Sequence, residues 1–197
     1  MLPQTLQAKS HGHDGPATVM GRANPLATRY DFYLTKELKC DENVMSLIVA
    51  LKEAGPHDQV FIHLNSPGGF IKTMAQVLTA IRDSQAHVVT CAEGEVASAA
   101  AIIFFAGHSF SVSEFSNFML HNVSGGAVGE VKGAIKDLEN AQEWGERMFR
   151  NVLEPFFSED ELNEILEDGR DHYYSPEEIA GRIDRMQGNL SVSNSRN

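Results

Sequence analysis

Ser98 sits where a hydroxyl could be put to chemical use. The apolar run over residues 87–92 reads as a buried strand, 94–97 as a tight turn, and 99–106 as an apolar helix closed by Gly107. A serine at the start of a helix has two readings. It can be an N-cap, accepting a hydrogen bond from a free backbone N–H and stabilising the helix by about 1 kcal/mol. It can also be a nucleophile: the helix dipole favours negative charge there, and Ala97, Ala99 and Ala100 leave room for a carbonyl to approach. Choosing between them requires a base, an orienting acid and oxyanion donors elsewhere.

Three other places offer such groups. Asn65-Ser-Pro-Gly-Gly-Phe lies between a strand and a helix, and paired glycines there let backbone N–H groups come close to a ligand. His121 ends the apolar run Asn117-Phe-Met-Leu, and taken alone is as well explained as a surface histidine. Asp171, between Arg170 and His172, is taken alone either a loop acid or a partner of Arg170. His11 and His13 lack Cys or carboxylate partners at ligand spacing, so no metal is expected. His63, inside an apolar strand, reads as a packed core histidine.

The elements that must position these groups follow from periodicity. Residues 1–29 show neither helical nor strand period and read as a flexible arm. Tyr30-Asp-Phe-Tyr-Leu reads as a strand, and Val44, Leu47, Ile48 and Leu51 share a helical face. Val60-Phe-Ile-His-Leu-Asn is a strand covered on both faces, followed by a helix through Met74, Val77, Leu78 and Ile81. With residues 87–107 this gives βαβαβα with parallel strands and right-handed crossovers, so Gly68-Gly69 and Ser98 should open at the carboxyl edge. Residues 110–113 and 117–121 add two short strands. A long amphipathic helix fills 129–153, with Val131, Ile135, Leu138, Trp144 and Met148 among its charges, and needs another subunit to cover its stripe. Ser158 and Glu161 form a capping box for a shorter helix; 170–174 is a strand or loop; Pro176 opens a last helix to about Ala180; and 187–197 reads as a frayed polar tail.

Composition narrows the class. The 197 residues at 42% hydrophobic suffice for one domain with a core. A net charge of -11 and pI near 5.1 exclude a general nucleic-acid or anionic-membrane binder, which needs clustered Lys and Arg. Two cysteines, Cys40 and Cys91, make no disulfide framework and fit a reducing compartment. No stretch approaches the roughly 18 apolar residues of a membrane span or resembles a signal peptide, so a soluble cytoplasmic protein is expected.

Five motifs in order make the chain similar to the ClpP-type serine peptidases. They are Phe32-Tyr-Leu-Thr, Asn65-Ser-Pro-Gly-Gly, Gly94-Glu-Val-Ala-Ser-Ala-Ala, Met119-Leu-His, and Arg170-Asp-His-Tyr-Tyr-Ser-Pro-Glu-Glu, and the resemblance covers residues 30–186. It implies Ser98 as nucleophile, His121 as general base and Asp171 as the acid that orients it. It implies the N–H groups of Gly69 and Ala99 as oxyanion hole, and Phe70 and Ser124 beside the groove that pairs with substrate backbone. The implied fold is α/β, a ClpP/crotonase-type βαβ spiral with a protruding handle helix, here 129–153. The implied assembly is a homo-oligomer of two stacked seven-membered rings, fed with unfolded polypeptide by an AAA+ unfoldase that uses the ATP. This chain itself would need no cofactor.

The chain departs from the family in two places. Residues 7–28 resemble neither the axial loop nor the amphipathic first helix of relatives. Arg170, which in relatives pairs across rings with the acid just before it, here follows Gly169, so a pair would use Asp168 or another acid. A divergent arm on such a core also resembles phage ClpP-like maturation proteases acting on capsid or scaffold protein. A crotonase-like acyl-CoA enzyme and a catalytically silent ring scaffold are two rival readings, and neither needs a Ser-His-Asp set.

Overall fold

A computed structural model describes residues 22–24, 27–40, 42–123 and 131–194. The chain divides into two compact units, Met1–Asn117 and Phe118–Asn197.

The first unit is built on β1 (Arg22–Asn24), β2 (Ala27–Leu34), β3 (Gln59–Ser66), β4 (His87–Ala97) and β5 (Ser109–Val112). β1 pairs antiparallel with β2, and β2, β3, β4 and β5 pair in parallel in that order. Parallel pairing requires crossovers, and α1 (Glu42–Glu53), α2 (Ile71–Asp83) and α3 (Ala99–Phe105) occur in them. Alternate strand residues Phe32, Leu34, Val60, Ile62, Leu64, Val88 and Ala92 are buried. So are Val44, Leu47, Ile48 and Leu51 of α1, Met74, Val77 and Ile81 of α2, and every residue of α3. Burying one large apolar side chain contributes about 1.5–3 kcal/mol, so this face sets where the strand ends lie. Thr90 Oγ1 donates to the Phe104 carbonyl at 2.7 Å, tying α3 to β4.

The second unit pairs β6 (Asn117–Leu120) antiparallel with β7 (His172–Tyr174), and carries α4 (Val131–Leu153), α5 (Glu159–Glu167) and α6 (Pro176–Asn194). The capping box on α5 is present: Ser158 accepts from the Glu161 N–H, and the Glu161 carboxylate accepts from the Ser158 N–H at 2.8 Å. Arg182 of α6 donates to Glu161 at 2.7 Å and lies over the Phe157 ring, 4.2 Å from its centroid. Ile135 and Leu138 of α4 are exposed on the single chain. Among the described residues no helix is long and apolar enough to cross a membrane.

The α/β expectation holds, with corrections at element ends. The strand expected from Tyr30 begins at Ala27, and Arg22–Asn24 pairs antiparallel with it inside the stretch expected as an arm. The last helix reaches Asn194, so residues 187–194, expected as a frayed tail, are helical. Ile179 and Ile183 of that helix are buried and fix its packed face. β4 does not stop before a turn at 94–97 but runs on to Ala97. A register shift between Leu64 and Ser66 allows this, with Asn65 Oδ1 accepting from the Glu95 N–H at 3.0 Å in the space beside Gly94. Residues 129–130 of the expected handle, the Ser124 expected beside the groove, and residues 1–21 and 195–197 lie outside the described residues.

Candidate active site

The turn into α3 is Ser98 itself. Its φ of 53° and ψ of -124° make it the one non-glycine residue with positive φ among those described. Such a conformation costs on the order of 1–3 kcal/mol and persists only when the surroundings enforce it. Ser98 stands at the N-cap position, but its hydroxyl makes no capping bond to the helix. Ser98 is half-buried between buried Ala97 and Ala99, at a sharp strand-to-helix turn, a geometry that can present a nucleophile at the end of a sheet.

The surroundings that enforce this turn are the two glycines after β3. Gly68 has φ 93°, and a Cβ on it would lie 2.7 Å from the Ala97 carbonyl oxygen, 2.8 Å from Ser98 Cβ and 2.9 Å from the Ala99 nitrogen. Only glycine fits there. Gly69, at φ 152°, is pressed as closely on Leu38, 2.5 Å from its carbonyl oxygen by the same measure. The Leu38 N–H donates to the Gly68 carbonyl at 2.7 Å and the Phe70 N–H to the Leu38 carbonyl at 2.9 Å. Residues 68 and 70 therefore make the bonds of that bridge, and the Gly69 N–H takes no part in it. Ser66 Oγ completes the clamp, donating to the Lys36 carbonyl at 2.6 Å and accepting from the Gly68 N–H at 3.2 Å. Ala99 is the first residue of α3, so its N–H has no acceptor within the helix. Phe70 stands exposed at the start of α2. This end of the first unit can offer a hydroxyl and two backbone donors to a carbonyl.

The second unit carries His121 and Asp171. β6 and β7 pair Met119 with Tyr173 and Leu120 with His172, so His121 and Asp171 are the next opposing positions. Alternation puts Met119, His121, Asp171 and Tyr173 on one face. Opposing residues in such a ladder have Cβ atoms about 4.5–5.5 Å apart. The register brings the two together, but among the described residues no hydrogen bond joins them. Asp171 is exposed and accepts from the Tyr173 hydroxyl at 3.5 Å, while His121 is half-buried.

Sequence reasoning offered Asp168 as a partner for Arg170 across rings and missed Asn122; within one chain the two hold this end in place. Asp168 caps α5 and gathers the segment after it: Oδ1 accepts from the Arg170 N–H at 2.8 Å and faces His172 Nε2 at 3.1 Å, and Oδ2 accepts from Arg170 Nη2 at 2.8 Å. The Arg170 backbone bond most of all, with its side chain and His172, brings the Asp168 pKa down to about 2 against a desolvation cost. Asn122 donates to the Leu166 carbonyl and accepts from the Val123 N–H at 2.6 Å. No local signal marks Asn122. Glu164, Asp168 and His172 have ligand atoms within 4.8 Å of one another, the one such set of three among the described residues. With Arg170 already neutralising Asp168, a cation there is disfavoured.

His63 is buried as expected but is not merely packed. Nε2 faces Asp31 Oδ1 at 3.1 Å, Nδ1 faces Glu93 Oε1 at 2.6 Å, and the ring stacks on Tyr33 at 4.4 Å. Burial would raise the Asp31 pKa, but hydrogen bonds from Arg29 and His63 lower it overall.

The Clp protease family model matches residues 24–184. The ATP-dependent Clp protease proteolytic subunit 1 of Rhodococcus jostii (strain RHA1) is 28% identical over 110 residues, 55% of this chain and 49% of that protein. The chain thus matches about half the length of that curated relative. Residues 24–184 take in the glycine clamp, the Ser98 turn and the β6–β7 pair alike, and on that match the chain belongs to the Clp protease family.

Proposed function

We propose that this chain is a serine endopeptidase subunit acting on unfolded polypeptide. The observation that carries the reading is the strained turn at Ser98, held by Gly68 and free of any capping role. In this reading Ser98 Oγ attacks the scissile carbonyl carbon while His121 takes the hydroxyl proton. The carbonyl oxygen becomes an oxyanion that accepts from the Gly69 and Ala99 N–H groups, and losing such a donor typically costs on the order of 100- to 1000-fold in rate. The intermediate collapses, the C–N bond breaks, and His121 returns the proton to the leaving amine. Water then attacks the acyl-serine by the same steps and releases the acid. Asp171 orients His121 and stabilises its charged form. No step calls for a metal or cofactor in this chain.

Phe70 and Ser124 flank the strand-pairing groove in this reading, which recognises backbone and little sequence. Selectivity then comes from confinement in two stacked seven-membered rings in the cytoplasm, with ATP spent by an AAA+ unfoldase. The name of the Rhodococcus relative, an ATP-dependent proteolytic subunit, supports such a partner. The exposed Ile135 and Leu138 on α4 support an oligomer. The test is labelling of the sized protein with a fluorophosphonate. A native mass above a dimer and labelling abolished in Ser98→Ala support the reading; labelling that persists in the variant, or a monomer, refutes it.

A further inference from the structure

We propose that Asp168 and Asn122 are positioning residues that hold Asp171 opposite His121, an assignment that rests on the peptidase reading of that pair. Asp171 lies between α5 and β7, and both its neighbours are bound to one carboxylate. Arg170 donates to Asp168 from its backbone N–H and its guanidinium, and His172 faces Asp168 through Nε2. Gly169, at φ 68°, makes the tight turn that lets the chain fold back on that carboxylate.

This turn leaves a carbonyl to be satisfied. In a continued α-helix the Arg170 N–H would donate to the Leu166 carbonyl, four residues back. Here it donates to Asp168 instead, and the Leu166 carbonyl, in the last turn of α5, accepts from Asn122 Nδ2. Asn122 is the residue after His121, and its own Oδ1 is fixed by the Val123 N–H. One helix end thus grips the strand end that carries the histidine through Asn122, and the segment that carries the acid through Asp168. Neither side chain is assigned any contact with substrate; both act through the geometry of the pair.

The test is the second-order rate of fluorophosphonate labelling and the kcat and KM for a peptide substrate, as a function of pH. The variants are Asp168→Asn, Asn122→Ala and Asn122→Asp, each also made in an Asp171→Asn background. Asp168→Asn keeps shape but removes the charge, and Asn122→Asp lacks the donor to Leu166. Misplacement of this kind should lower labelling and kcat on the order of 10- to 100-fold, with KM nearly unchanged. Because the effect passes through Asp171, it should vanish in the Asp171→Asn background, and the pH profile of each double variant should coincide with that of Asp171→Asn alone. Losses that are undiminished in that background, or single variants labelled at the parental rate, overturn the proposal. The two Asn122 variants carry the test where Asp168→Asn does not fold. A parent protein that takes no label at all overturns the peptidase reading instead.

Discussion

A Cβ placed on Gly68 would lie 2.8 Å from Cβ of Ser98. The loop after β3 and the turn after β4 are therefore one packed object, and the serine cannot relax without displacing the loop. Leu38 backs the loop from the other side through two backbone bonds, so strain at Ser98 is met by ordinary hydrogen bonds elsewhere.

Gly68→Ala should accordingly damage both stability and site. The added methyl meets backbone atoms at 2.7–2.9 Å, in a conformation with φ 93°. Overpacking and left-handed strain together predict a loss of about 3 kcal/mol in denaturant unfolding, with fluorophosphonate labelling gone. Gly169→Ala, with nothing within 4 Å of its Cβ, should cost only about 1 kcal/mol for its φ of 68°. Equal costs at the two positions would contradict the apposition.

Acid should weaken the second unit through Glu161. The hydrogen bond from Arg182, opposed by burial and helped by Ser158, holds its carboxyl pKa at about 2 against an ordinary 4.5. The unfolded chain takes up a proton near pH 4.5 that the folded chain refuses until about pH 2. The stabilisation is thus complete above the first value and lost as pH falls towards the second. Asp168, also held near 2, titrates in the same window. Thermal unfolding from about pH 6 to about pH 2 should show a smaller decline for Glu161→Gln than for the parent. Parallel curves would remove Glu161 from the account.

Much of this is legible in sequence because it is local. Apolar runs and shared helical faces mark α1, α2, α3 and the central strands, and Ser158 with Glu161 announces α5. Long-range effects are not legible. The φ of Ser98 is set against Gly68, far earlier in the chain, so residue type alone does not decide between a cap and a nucleophile. Asn122 finds its acceptor at Leu166 and Asn65 its donor at Glu95, partners that no periodicity encodes. The C-terminal helix reads as short because Gly181 and Gly188 lower helical propensity, while burial of Ile179 and Ile183 overrides it.

The His63 cluster predicts an asymmetry between its two acids. Asp31 has a side chain only 12% exposed, and it takes both Arg29 and one histidine nitrogen; Glu93 is 48% exposed. Asp31→Ala leaves the buried His63 nitrogen without its partner, beside a half-exposed Arg29, and should cost about 1–3 kcal/mol. Glu93→Ala should cost under about 1 kcal/mol, as exposed ion pairs do. Denaturant midpoints for the two variants measure this directly, and a larger loss at Glu93 would place the weight of the cluster on the wrong carboxylate.

The strain at Ser98 can be separated from its chemistry by comparing two variants that both lack the hydroxyl. Ser98→Ala keeps a Cβ in the φ 53° conformation and so keeps the cost, about 1–3 kcal/mol. Ser98→Gly relieves it but adds unfolded-state freedom worth about 0.5–1 kcal/mol. The glycine variant should therefore unfold at higher denaturant, by about 1 kcal/mol, while neither takes a fluorophosphonate. If the alanine variant is as stable or more so, the turn is not strained. The hydroxyl would then stand where it does for want of a helix cap, and the central argument for a presented nucleophile would fail.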